Sequence, residues 1–259
     1  VVGVTFTAAL AATATLVSVA FCLSTLERWQ ARRRPHEWAW TVAMAMFAVA
    51  SLAYFVAAAL GWGPWDFKLF YLFGAILNVP YLALGTVYLL GGPALGHRVR
   101  FWLNLAAAFC AGVVLAAPIT DGLEGAGIPS GREVFGVGPR VMAAIGSGVG
   151  ALVLIGGALW SAVSLLRSRR RPAGGSAPAI TPGRLALTNL LIATGSLILG
   201  TGGALFGTGD QMQDFGIWLA IGVSVLFAGF LVSNPTRPVS EARPTLSPYW
   251  SELYDLSRS

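Results

Sequence analysis

Seven uncharged, apolar stretches occupy most of the sequence, at about residues 1–24, 39–60, 69–91, 101–118, 141–166, 185–206 and 215–233. A helix needs about 20 apolar residues to cross a hydrocarbon core of ~30 Å, and each stretch is close to that length or longer. A soluble fold has no way to bury so many, and only 11% of the 259 residues are charged, where soluble domains keep about a quarter. The stretches do not alternate between polar and apolar residues, as Thr41-Val-Ala-Met-Ala-Met-Phe-Ala-Val-Ala-Ser51 illustrates. They therefore predict helices rather than the ~10-residue strands of a membrane β-barrel. The expected fold is an all-α integral membrane protein, a seven-transmembrane-helix bundle over residues 1–233, followed by a tail at 234–259.

The formal charge of +6 invites a nucleic-acid reading, but the distribution of the cations argues against it. Fourteen of the seventeen Lys and Arg residues lie on one side of the expected bundle. They are Arg28, Arg32, Arg33 and Arg34, then Arg98 and Arg100, then Arg167, Arg169, Arg170, Arg171 and Arg184, and finally Arg237, Arg243 and Arg258. Only Lys68, Arg132 and Arg140 lie on the other side. Basic loops stay in the cytoplasm, so the expected topology is N-out and C-in. The first stretch has no basic residues ahead of it and several behind it, the reverse of a secretory signal, and is expected to remain as a span. The triplets Arg32, Arg33, Arg34 and Arg169, Arg170, Arg171 are expected to attract anionic lipids of the cytoplasmic leaflet. Each triplet runs into a proline, at Pro35 and Pro172, but topology alone accounts for basic residues after an inward-pointing helix.

Catalytic apparatus is missing from the pattern. On the expected spans no acid or base lies at mid-membrane depth, where such groups mark proton relays and ion sites. His36 and His97 are expected in cytoplasmic loops rather than within helices, which leaves no intramembrane haem ligands. No Cys/His/carboxylate spacing suggests a metal, and no nucleophile-elbow, zinc-protease or phosphate-loop motif occurs. The stretch 215–233 has no lysine to carry a retinal Schiff base. Cys22 and Cys110 both fall within apolar spans and read as buried thiols rather than a disulfide. The expectation is a protein that is not an enzyme and takes no cofactor or metal.

What remains are polar residues inside the spans. Asn78 lies in Gly74-Ala-Ile-Leu-Asn-Val-Pro-Tyr81, where Pro80 should free a carbonyl one turn earlier and bend the helix. Asn78, Pro80 and Tyr81 on the third helix, with Asn189 and Ser196 on the sixth, are the candidate ligand-binding residues. The alternative is that the amide merely bonds a neighbouring helix, worth about 0.6–2 kcal/mol. Gly146/Gly150 and Gly203/Gly207 have the small-x-x-x-small spacing that lets helix backbones approach closely. Trp38, Trp40, Trp62, Trp65, Trp102 and Trp218 fit an interfacial belt. Trp62-Gly-Pro-Trp65 could also cap an outer pocket.

Residues 172–183, rich in Pro, Gly, Ala and Ser, read as a flexible connection. Asn234-Pro235 ends the last helix. Ser247-Pro248 then opens a short amphipathic helix on which Trp250, Leu253 and Tyr254 share one face, suited to a membrane surface or a partner.

Trp40, Tyr54, Phe70-Tyr71-Leu-Phe-Gly74 and Asn78-Val-Pro80, within residues 38–90, resemble the N-terminal seven-helix sensor region of some bacterial histidine kinases. The resemblance implies a multi-pass bundle in the bacterial cytoplasmic (inner) membrane that senses a small or lipid-like signal. Residues 234–259 do not themselves form a kinase domain, so any output would pass through a separate partner. The function expected is a non-enzymatic sensor-like or accessory subunit that binds a hydrophobic ligand, a partner membrane protein or, through its tail, a cytoplasmic protein. The alternative is a facilitator or transporter of a small neutral solute.

Overall fold

The computed structural model describes the backbone of residues 2–119, 123, 128–129, 131–168, 182–201 and 211–233. Side chains at 2–5, 162, 164–168, 182–186, 188–189, 193, 200–201, 211–213 and 233 lie outside the description. The described residues are all-α. Helix α1 is Val2–Arg32, α2 is Pro35–Leu60 and α3 is Pro64–Phe70. A π-helical segment, Tyr71–Leu77, leads into α4, Asn78–Ala116. The short α5, Gly131–Val134, precedes α6, Val137–Ser168, then α7, Pro182–Thr201, and α8, Gln211–Ser233.

Among the described residues five helical spans are long and apolar enough to cross a membrane: Phe6–Arg32, Pro35–Leu60, Pro64–Ala116, Val137–Ser161 and Asp214–Val232. Seven were expected, and two causes account for the difference. Among the described residues α7 has only the shorter apolar run Leu190–Leu199. The expected third and fourth helices join into one element, because the chain stays helical on both sides of Gly92.

That element is nevertheless folded back on itself. Gly92 stands at φ 76, ψ 175, a conformation that favours glycine, and Pro93 follows with the fixed φ of a first helical residue. The Tyr81 hydroxyl donates to Asn104 Oδ1 at 2.7 Å across 23 residues, which a straight helix would separate by about 34 Å. Tyr88 packs on His97 and on Gly96, and Lys68 Nζ reaches the Leu115 carbonyl at 2.7 Å. The limbs 78–91 and 93–116 are thus antiparallel neighbours.

The helices run on past their apolar stretches. Arg28 lies within α1, Glu37 and His36 within the first turn of α2, and His97 within α4. The histidines are therefore in helices, not in loops as expected. Charge limits the depth a residue reaches in a bilayer but does not break a helix, and Pro35 at the first position starts α2 before the apolar residues begin.

Neighbouring helices form a closed ring, α1, α2, α4, α6, α7, α8 and back to α1, with α3 and the π segment against α2. Helix α1 contributes one narrow stripe, Thr7, Ala11, Ala14, Ser18, Phe21 and Thr25, buried at alternating steps of four and three. Its hydroxyls are satisfied locally, Thr15 by the Ala11 carbonyl, Ser18 by Ala14 and Thr25 by Phe21, so they cost little in an apolar setting. Cys22 and Cys110 are free thiols, and Cys22 Sγ lies 3.6 Å from the Thr41 carbonyl oxygen.

Glycines mark where backbones touch. A Cβ at Gly146 would lie 2.7 Å from the Ile76 carbonyl oxygen, and one at Gly150 would lie 3.0 Å from Pro80 N. This expected pair packs α6 onto the π segment and Pro80. Gly203 and Gly207 lie outside the described residues, but a Cβ at Gly195 of α7 would lie 3.0 Å from the Gly222 carbonyl oxygen of α8, and Gly222 and Gly229 meet the side chains of Leu199 and Leu191. Gly146→Val should push α6 off α4 and lower unfolding stability by about 1–3 kcal/mol. Gly148→Val, whose Cβ meets nothing within 4 Å, should change it by no more than about 0.5 kcal/mol. Denaturant unfolding in mixed micelles reads both.

Candidate functional site

Two places concentrate polar chemistry inside the bundle. The first is the junction of the π segment with α4. Pro80 has no N–H to give the Ile76 carbonyl, and the turn before it is widened, with the Asn78 N–H bonded to the Phe73 carbonyl five residues back. Asn78 is 3% exposed, and its Nδ2 donates to the Ala43 carbonyl of α2 at 2.8 Å. That bond lends α2 a donor, since the Ala43 oxygen accepts it besides whatever its own helix supplies. Tyr81 is likewise engaged, through its hydroxyl on Asn104. Pro80 faces the glycine seam of α6.

Of the residues expected on the sixth helix, Asn189 is on α7 with its side chain outside the described residues. Ser196, also on α7, has a buried Oγ without a hydrogen-bond partner. The structure brings Asn78, Pro80 and Tyr81 together. Asn104 was missed, although it is the one amide in the stretch 101–118 and that was signal enough. Trp62, proposed as a cap, packs among Tyr54, Phe67 and Phe70 in an aromatic cluster at the far end of α2, while Trp65 is exposed.

The second place is at the opposite end of α2. The Glu37 side chain is 0% exposed, with Oε1 3.5 Å from Arg28 Nε and 3.9 Å from Arg32 Nη1. Neither contact is a hydrogen bond: both Glu37 oxygens and Arg28 Nε and Nη1 are buried without one. The pair sits in a water-poor setting, where attraction is screened less than at a surface. The Arg28 guanidinium also lies over the Phe230 ring of α8, Cζ 4.4 Å from the centroid. Phe21 completes the contact, 5.1 Å from Phe227 and 4.8 Å from Phe230 between ring centroids. One cation thus joins α1, α2 and α8 three residues before α8 ends.

Sequence reasoning missed this cluster because it cut the spans at their charges, which set Arg28 and Glu37 outside the bundle. The usable signal was Glu37, an acid that closely follows the run Arg32, Arg33, Arg34 and Pro35. The expected basic residues Arg32, Arg33 and Arg34 surround it, all exposed. Arg169, Arg170 and Arg171, and the tail residues Trp250, Leu253 and Tyr254, lie outside the described residues. Among the described residues no three of His, Cys, Asp and Glu come together as a metal site.

By the length and composition of its helices the chain is a multi-pass membrane protein. No protein-family model, curated protein or solved structure matches it.

Removing one partner of the pair should be costly and removing both should not. Arg28→Met leaves a buried carboxylate with only the looser Arg32, an expected loss of about 3 kcal/mol. The double variant Arg28→Met/Glu37→Met should recover most of it, as an apolar contact replaces the pair. Thermal and denaturant unfolding of the three proteins gives the comparison.

Proposed function

We propose that this chain is a seven-helix protein of the bacterial cytoplasmic membrane, N-out and C-in, acting without catalysis as a sensor-like or accessory subunit. The fold-back at Gly92 supplies two spans from Pro64–Ala116, and α7 supplies the remaining one. It binds a hydrophobic ligand or a partner membrane protein, and its tail offers a docking segment to a cytoplasmic partner. The observation that carries this reading is the Arg28, Glu37 and Phe230 cluster. It joins three helices near the end of α8, the element that precedes residues 234–259 in the sequence, so a change in helix packing has a short route to the tail. The likeness of residues 38–90 to kinase sensor regions supports the same direction of signalling.

The competing reading is a facilitator for a small neutral solute, favoured by the wide turn at 71–77 beside buried Asn78. The engagement of Asn78 with Ala43 weighs against it, because the amide is spent on packing. Asn78→Leu should leave any measured solute flux unchanged while lowering stability by about 0.6–2 kcal/mol. Loss of flux with expression intact would move the assignment to transport.

Gentle purification from native membranes should return a stoichiometric protein partner, identified by mass spectrometry. Deleting residues 249–259 should remove a cytoplasmic partner from that set, and an unchanged set would refute docking through the tail. A bare bundle that carries only a small molecule would direct the search to a ligand beside Asn78.

A further inference from the structure

The turn between α1 and α2 is built against local preference. Arg33 stands at φ 52, the one non-glycine among the described residues in the left-handed region, whereas Gly61 and Gly92 serve the other two such positions. The turn itself asks only for backbone: the Arg33 N–H closes on the Trp29 carbonyl at 2.7 Å, a helix stop that glycine makes without steric cost. What arginine adds is its side chain. The guanidinium lies over the Trp29 ring, Cζ 4.9 Å from the centroid, and the residue is exposed, as is Arg34 beside it.

Charge is divided unevenly across this turn. Arg28 and Arg32 pair with Glu37, whereas among the described residues neither Arg33 nor Arg34 forms an ion pair. A guanidinium stacked by one face keeps its edge donors free, and that planar fork matches two oxygens of a phosphate. Strain kept at an exposed position, for a side chain held in one orientation and left unpaired, points to a ligand. The turn caps two long apolar helices at their common end, the level at which lipid phosphates lie, and a tryptophan at that level has the amphipathic ring such an interface favours.

We infer that the α1–α2 turn is a specific site for the phosphate group of an anionic lipid, gripped by the Arg33 fork stacked on Trp29 with Arg34 as the second cation. This deepens the expected attraction of the basic loops for anionic lipid and rests on it: one built site replaces a diffuse field. The proposed topology then assigns the lipid to the cytoplasmic leaflet.

The test is native mass spectrometry of the full chain released from nanodiscs of mixed phosphatidylglycerol and phosphatidylcholine, counting retained lipids. Arg33→Gly relieves the left-handed residue and removes the fork, so it should keep or raise the thermal midpoint while lowering retained phosphatidylglycerol about five-fold. Arg33→Asn, which also accepts this conformation, should do the same. Arg98→Gln, removing an exposed cation elsewhere on the same rim, should leave retention unchanged. Equal loss from Arg33→Gly and Arg98→Gln would overturn the site while keeping the diffuse attraction. No preference for phosphatidylglycerol in the unaltered protein would overturn both. Displacement of the lipid by millimolar inorganic phosphate would overturn the lipid as the source of the group.

Discussion

A bilayer offers no water to an unpaired backbone group, so every departure from a regular helix at membrane depth has to be covered by protein. Among the described residues this chain departs within an apolar stretch at 71–77, and it turns between helices at Arg33, Gly61 and Gly92. At 71–77 the turns widen, and the Ile76 carbonyl, which Pro80 cannot serve, faces the bare Cα of Gly146. At Gly92 the chain reverses, and the two limbs bond and stack on each other through Tyr81, Asn104, Tyr88 and His97. At Arg33 the left-handed residue costs about 1–2 kcal/mol, and its N–H is closed by Trp29. The glycine seam of α6 is thus more than a place where helices approach. It is what makes the π segment tolerable, because only a residue without a Cβ leaves room for that carbonyl.

Polar groups are sorted by depth under the same constraint. Hydroxyls along α1 return to their own helix, at Ser18 and Thr25 for example, and the Asn78 amide is given to a carbonyl of α2. Among the described residues the one fully buried acid is Glu37, which meets its cations at the start of α2. The bundle has a concentrated electrostatic contact at one end.

The apolar lengths in the sequence were enough for an all-α, multi-pass chain, and Gly146 and Gly150, at small-x-x-x-small spacing, lie against the π segment and Pro80. The helix ends were not legible from hydropathy, because a helix extends by hydrogen bonding and capping, whereas hydropathy reads only lipid exposure. Two extra turns at the end of α1 and an earlier start for α2 bring Arg28 and Glu37 face to face, and no apolar pattern contains that. The glycines of α8 were hidden for a different reason. Gly222 and Gly229 are seven apart, so the contact with α7 repeats over two turns instead of one. Asn78 was legible as a residue of interest, but its role depended on which helix came to lie beside it.

Stability alone does not call for charge where α1, α2 and α8 meet. Phe21, Phe227 and Phe230 already form an apolar contact there, and well-packed hydrophobic residues commonly match or exceed a buried ion pair. What charge adds is selectivity among arrangements. Aromatic rings tolerate sliding and rotation over one another, whereas a buried carboxylate is strongly penalised in any packing that parts it from its guanidinium. Arg28 serves both partners at once, Glu37 through its charge and Phe230 through the face of its guanidinium, so a shift of α8 along α1 disturbs the position of α2 as well. The cluster thus couples three helices near the end of α8.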